Sequence, residues 1–291
     1  MKRSRKLKIN STVKLTVISV DPILSGVAET LLIPLWARAK ETKHPQPIIR
    51  DPKSVELLET LNYDFSKFQK DWATQLSIAI RTHLIDQQTL AFLQKYPQST
   101  VINLGAGLDT RFSRLDNGQI LWYELDQPEV IQLKHHFFQE TERYRWMGQS
   151  VLDFSWLKKI AVPKSPVLII AEGLFMYLSP PDVQQLIQQI LSYFPQGEII
   201  FEAIGPGAVG RSNWVPSVAK MQKPIPQFLW GLRNTQNLTL WDPRIQLFQE
   251  WHMFDLYPHR WKWIWWSTRF PRIKKWIGHR IVHVGFTSPK Y

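Results

Sequence analysis

The sequence predicts an α/β fold: a mostly parallel sheet with helices on both faces, preceded by N-terminal helices and followed by a Trp-rich cap. Three observations predict it. The short runs Val101–Leu104, Ile120–Leu125 and Val167–Ala171 are apolar, as buried strands are. The first of them leads at once into Gly105 and Gly107, the kind of turn that joins a strand to a helix. Helical sequence follows the strand-like runs, most clearly where Val183, Leu186, Ile187, Ile190, Leu191 and Phe194 recur at helical spacing.

Along the chain, residues 1–12 read as a basic arm. Helical material spans Asp21 to Lys40, with Pro34 expected to kink or end it. His44 to Pro52 is a Pro-rich loop, and a helix restarts after Ser54, a residue type suited to an N-cap. A long helix covers Asp71 to Leu93 and carries Arg81 and Asp86. Pro128 to Thr141 is helical, with Pro128 in its first turn. Val151–Asp153 closes a further strand or loop. Ser179 caps the clearest helix, Pro180 opens it and Pro195 stops it. Glu198–Ala203 and Arg280–Phe286 supply later strands. This divides the chain into an N-terminal helical segment (1–95), an α/β core (96–204), a cap or insertion (205–278) and a final strand (279–291).

The glycine turn carries chemistry. Asp126 stands roughly 20 residues beyond Gly105, at the tip of the neighbouring strand, where a carboxylate can accept hydrogen bonds from ribose hydroxyls. A dinucleotide fingerprint wants a third glycine at position 110, but the chain has Thr110 between Asp109 and Arg111. A carboxylate so near the turn repels a pyrophosphate and suits a cation. S-adenosylmethionine has no phosphate and carries a sulfonium and an ammonium, so the charge pattern favours it over a nicotinamide dinucleotide. In open α/β sheets ligands bind outside the strand tips, so Asp126, Asp153 and Glu172 are expected to converge on one crevice.

Four blocks, Leu104–Arg111, Trp122–Ile131, Ser150–Trp156 and Ala171–Leu178, occur in order at characteristic spacing. Together they resemble the leucine carboxyl methyltransferase family, in particular its bacterial branch of O-methyltransferases associated with polyketide biosynthesis. The resemblance covers about 75–205 well and 206–278 hardly at all. It implies a Rossmann-like class I methyltransferase sheet and S-adenosylmethionine as cofactor. It also implies that Arg81 binds the cofactor's carboxylate, a task suited to a guanidinium fork. Asp153 and Phe154 match an adenine-contacting pair, and Tyr177 matches a tyrosine at the acceptor site. The other reading of Arg81 is a helix arginine paired with Asp86.

Composition narrows the classes. The hydrophobic content of 44% and charged content of 21% are those of a globular protein. With no cysteine, disulfides, thiol catalysis and thiolate metal sites are excluded. No run of histidines and acids has metal-ligand spacing, so no metal is expected. No uncharged apolar run is long enough to span a bilayer, and the expected location is cytoplasmic. The net charge of +12 sits at the ends. Met1–Lys8 holds five basic residues, and Leu256–Tyr291 eight Lys/Arg, with no acid in either. Such ends attract an anionic membrane or an acidic carrier protein, or simply aid solubility. Nucleic acid is disfavoured because no RNA-binding module is recognisable. Trp251, Trp261, Trp263, Trp265 and Trp266, interleaved with Arg260, Lys262 and Arg269, suit a cap over an aromatic substrate, an interfacial patch, base stacking or plain packing.

The function expected is methyl transfer to a hydroxyl or carboxylate oxygen of a small molecule, polyketide-like or another secondary metabolite. A carboxylate needs no base, whereas a hydroxyl benefits from one. His252, His259 and His283 all stand in the unmatched part, and spacing does not choose among them. The alternatives are a non-catalytic S-adenosylmethionine-binding or regulatory protein, and a methyltransferase acting on a protein carboxylate or RNA.

Overall fold

The computed structural model describes residues 19–287; the basic arm expected at 1–12 lies outside them. Two helices, α1 (Leu32–Thr42) and α2 (Pro52–Thr60), lead to the long α3 (Trp72–Lys95). Then come β1 (Thr100–Leu104), α4 (Arg111–Leu115), β2 (Leu121–Asp126), α5 (Pro128–Lys134), β3 (Tyr144–Gly148) and β4 (Val167–Ala171). After α6 (Pro180–Tyr193) and β5 (Gln196–Ile204), short 3-10 turns lead to β6 (Ile245–His252). Two short helices, α7 (Ile264–Thr268) and α8 (Pro271–Ile277), precede β7 (His279–Thr287). Among the described residues no helix is long and apolar enough to cross a membrane.

The strands form one sheet in the order β3-β2-β1-β4-β5-β7-β6. β1 to β5 run parallel, and β7 lies antiparallel between β5 and β6. Side chains alternate along each strand and feed two cores. Ile102, Ile169 and Ile199 pack beneath α6, which buries Val183, Leu186, Ile187, Ile190 and Leu191. Val101, Leu168, Ile170 and Ile200 pack beneath Leu76, Ile80 and Leu84 of α3. Covered on both faces, β1 and β4 are buried along their whole length, which is why their sequences are almost unbroken apolar runs. A third cluster joins Leu32, Leu35 and Trp36 of α1 to Leu57 of α2 and to Leu108 beyond the glycine turn. The N-terminal helices therefore sit over the strand tips.

Local expectations fail where a turn residue was assigned to the wrong end. Pro34 is the third residue of α1, where a helical N–H has no intrahelical partner, so the proline opens that helix instead of breaking it. The cap of α2 is Asp51, whose carboxylate accepts from the Ser54 N–H at 3.2 Å, and Pro52 takes the first helical position. The helix from Pro128 ends at Lys134, not Thr141. Of the strand or loop expected at Val151–Asp153, the loop is what forms, following β3, which ends at Gly148. The interval 205–278 holds more than a cap, because β6 within it forms the sheet edge.

Asp51 is a fully buried joint between elements. It also binds Arg38 Nε at 3.0 Å, accepts from Thr110 Oγ1 at 2.5 Å and pairs with Arg114 at 3.1 Å. Burial pushes its carboxyl up, but the two guanidiniums and the Thr110 and Ser54 hydrogen bonds outweigh it and hold it below the usual value. Asp51→Ala strands Arg38, and denaturant unfolding should show a loss of about 3–5 kcal/mol at neutral pH. Because the folded pKa lies below the unfolded one, the carboxylate's contribution is complete above about pH 4–5 and is lost as pH falls through the folded value. The gap between wild type and Asp51→Ala should therefore narrow in acid; a gap constant down to pH 3 would contradict the pairing. Leu186→Ala, in the core under α6, should cost about 2–5 kcal/mol in the same measurement.

Candidate active site

The site lies where the strand order reverses, at the C-terminal tips of β1, β2 and β4. Beyond β1, Gly105 and Gly107 take φ of +62° and +54°, a left-handed backbone that favours glycine. An added Cβ would stand 3.0 Å from Leu174 Cδ1 at Gly105 and 3.0 Å from Leu31 Cβ at Gly107. The Gly105 N–H donates to the Leu125 carbonyl at 2.8 Å, tying the turn to the end of β2. There Asp126 accepts from the Gly107 and Gln127 N–H groups, each at 2.7 Å. Burial pushes its carboxyl up more than those donors lower it. From below, Lys134 of α5, fully buried and paired with Glu124, directs its Nζ at the carbonyls of Gly107 and Asp109, each at 3.5 Å.

Beside the turn lies a network of guanidinium groups and carboxylates. Arg111 on α4 binds Asp86 of α3 at 2.6 Å, Glu172 beyond β4 at 2.7 Å, and Asp109. Arg81 on α3 donates to Glu172 at 2.8 Å and to Glu202 of β5 at 2.7 Å. Arg114 binds Asp86, and Arg38 reaches the Leu108 carbonyl at 2.8 Å. Burial pushes Asp109 and Glu202 up, but the cations around each outweigh it and hold both below the usual carboxylate range. With Asp51, five carboxylates face four guanidiniums, so the buried cluster is net anionic before Asp126 is added.

Arg81, Gly105, Asp126, Glu172 and Tyr177 all line one cavity of about 760 Å³. Gly107 stands behind Asp126, holding it. Asp153 and Phe154 are not brought to this cavity. Asp153 is exposed and caps a short 3-10 turn, accepting from the Ser155 N–H at 3.1 Å, and Phe154 packs at the edge of the α6-side core. The expected meeting of three strand-tip acids therefore reduces to two. Glu172 is matched by two arginines, whereas Asp126 forms no ion pair among the described residues. Asp86 is taken by Arg111 and Arg114, so the expected alternative partner of Arg81 is occupied elsewhere. Tyr177 keeps its proton, since burial pushes the phenol up to about 12, and it can donate a hydrogen bond but not act as a base at neutral pH.

Much of the remaining wall is apolar, with Leu31, Ile78, Met176, Phe228, Met253 and Trp261 among its members. Trp261 is enclosed, its Nε1 donating to the Leu256 carbonyl at 3.0 Å, while Trp214 and Trp263 stand exposed at the rim. Sequence reasoning missed His279, the histidine that reaches the cavity. Its Nδ1 lies 3.2 Å from Glu202 Oε1. Glu202 gave no signal either, being one polar residue in an apolar strand. His283 pairs with Glu198 and His252 with Glu250, and neither they nor His259 line the cavity. Among the described residues no group of histidines and acids could hold a metal ion.

The leucine carboxyl methyltransferase family model matches residues 32–191, more than half of the chain. The tetracenomycin polyketide synthesis O-methyltransferase TcmP of Streptomyces glaucescens is 32% identical over 238 residues, covering 80% of this chain and 85% of that protein. The S-adenosyl-L-methionine-dependent methyltransferase dpfgK of Gibberella zeae is 31% identical over 285 residues, covering 89% and 93%. A solved structure from Thermobifida fusca, of a methyltransferase candidate, superposes with a TM-score of 0.56 at 11% identity, covering 91% of this chain and 96% of that one. That last likeness bears on the fold alone. On the family match and the two relatives, the chain belongs to the leucine carboxyl methyltransferase family and is a methyltransferase.

Proposed function

We propose that this enzyme, which takes its methyl group from S-adenosylmethionine, passes it to a hydroxyl or carboxylate oxygen of a small, largely apolar, polyketide-like molecule. The observation that carries the reading is the cavity of about 760 Å³, polar at the glycine turn and apolar beyond it. That volume lies within the range of ligand sites, roughly 300–1,000 Å³. A relative named for polyketide synthesis supports the acceptor class.

The residues fit the cofactor. Each Asp126 oxygen takes one backbone N–H and keeps a lone pair for a ribose hydroxyl. The Gly105 turn lets the backbone come close without a side chain. Arg81 spends Nε and Nη1 on Glu172 and Glu202, which leaves Nη2, packed against Gly173, for the amino-acid carboxylate. Glu172 is then a positioning residue that fixes Arg81 and Arg111. Asp153 and Phe154, which the resemblance implies for the adenine, stand outside the cavity and are given no role in it. S-adenosylmethionine supplies an electrophilic methyl on a sulfonium that leaves as a neutral thioether.

The protein's task is to align an oxygen nucleophile and exclude water from the line of attack. The apolar wall does the second, because an anionic oxygen is more reactive away from water. Tyr177 donates a hydrogen bond at the acceptor side. For a hydroxyl acceptor, His279 is the proton acceptor. Glu202 can only accept, so Nδ1 carries the hydrogen of the neutral ring and Nε2 keeps a free lone pair. A carboxylate acceptor is already ionised and uses no base.

Asp126→Ala, with its fold intact by circular dichroism, should bind S-adenosylmethionine at least about tenfold more weakly in calorimetry, the value of one good hydrogen bond to a charged group. Wild type should bind the cofactor and its demethylated product but not NAD; unchanged affinity in the variant would remove Asp126 from the site. His279→Asn should slow turnover of phenolic acceptors by about 10²-fold or more at neutral pH while leaving carboxylate acceptors almost untouched. Equal losses on both acceptor types would assign His279 to structure.

A further inference from the structure

The cavity mouth opens onto a surface that is apolar and basic at once. Trp214 and Trp263 line the cavity and yet are 67% and 72% exposed, so they stand at its rim. Next to Trp263 in sequence, Trp266 is 63% and Phe270 is 62% exposed. Ile273, Trp276 and Ile277 then follow at i, i+3 and i+4 on α8 with their apolar sides open. Trp276 has one edge seated over Gly207, where an added Cβ would meet its Nε1 at 2.3 Å, so α8 is anchored while the rest of that face stays bare.

Cations are interleaved with these rings. Arg211 lies over Trp214 at 5.0 Å and Arg269 over Trp265 and Trp266 at 5.3 and 5.7 Å. Lys262, Arg269, Arg272 and Lys275 are exposed, and among the described residues none pairs with a carboxylate. A solvated face would carry charge without the tryptophans, and an obligate protein interface would lack the uncompensated charge. Tryptophan with Lys/Arg beside an amphipathic helix is the composition of a surface seated at a lipid headgroup layer.

We propose that this face docks peripherally on an anionic lipid bilayer and sets the cavity mouth against it. Charge complementarity decides between occupants. Residues 1–18 of the same chain hold six Lys/Arg and no acid, and a second copy carries +12, so both would meet the patch with like charge. An acidic protein would satisfy the cations but leave the row of indoles and isoleucines without an apolar partner. Docking does not depend on the acceptor chemistry proposed above; it concerns how an apolar molecule reaches the mouth.

The test is co-sedimentation of the full chain with extruded vesicles, phosphatidylglycerol in phosphatidylcholine against phosphatidylcholine alone, with no cofactor or acceptor present. Wild type should partition onto the anionic vesicles at least about tenfold more strongly, and binding should fall at high salt without vanishing. Trp266→Ser/Phe270→Ser, in exposed positions, should keep its melting temperature and S-adenosylmethionine affinity and lose partitioning by about tenfold or more. Arg269→Glu/Arg272→Glu/Lys275→Glu should lose it chiefly at low salt. Quenching of indole fluorescence by brominated acyl chains should drop in Trp263→Phe/Trp266→Phe, which reports that the mouth itself meets lipid. Three results would each overturn the proposal. They are no binding of wild type to anionic vesicles, undiminished binding of Trp266→Ser/Phe270→Ser, which would place the affinity at residues 1–18, and capture by an acidic carrier protein with no vesicle binding. Cofactor affinity measured on the same samples separates this outcome from that of the methyl-transfer reading.

Discussion

Arg111 is the interaction on which the rest of the site depends. One fully buried guanidinium spends its fork on Asp86 of the long N-terminal helix, Asp109 of the glycine turn and Glu172 at the tip of the central strand. Burying such a group has a desolvation cost of several kcal/mol, and the attraction of its partners does little more than offset it. Its value is therefore positional. Three elements distant in sequence cannot slide against each other without unpairing a buried charge. Through Glu172 the constraint passes to Arg81, and through Arg81 to Glu202 and His279. The cavity's polar end is thus one hydrogen-bonded object.

The same reasoning divides labour among the carboxylates. Those with arginine partners serve as fixed counter-charges. Asp126 is held only by backbone donors and has no cationic partner among the described residues. A net anionic cluster beside it suits a ligand whose charges sum to a cation, and it disfavours a pyrophosphate. That explains in geometry why Thr110, where a dinucleotide site has glycine, is at home here: its hydroxyl donates to Asp51 and helps close the network instead of clearing space for phosphate.

The parallel half of the sheet was legible because burial on both faces forces unbroken apolar runs, and Val167–Ala171 coincides with β4 residue for residue. The glycine turn and Asp126 were legible because backbone geometry and a strand-tip acid leave marks at fixed spacing. Elements held by tertiary partners were not. β6 reads Ile-Gln-Leu-Phe-Gln-Glu-Trp-His, a half-exposed edge with no strong period, and only its pairing with β7 makes it a strand. Asp51 and Ser54 are equally good caps by type, and the choice was made by Arg38 and Thr110 reaching Asp51 from other elements. His279 and Glu202 face each other 77 residues apart across two strands, a distance over which spacing carries no information.

β7 supplies the missing edge of both β5 and β6, bonding along their length on either side. Until His279–Thr287 has left the ribosome, β5 presents a row of unpaired N–H and carbonyl groups, and β6 has no sheet to join. Nearly all of the apolar core is by then already synthesised and able to collapse. The nascent protein thus passes through a state that is compact yet open along one edge, the form most prone to pairing with a neighbouring chain. The stretch between β6 and β7 holds Trp263, Trp266 and Trp276, so a longer insertion there would lengthen the interval during which that edge stands open.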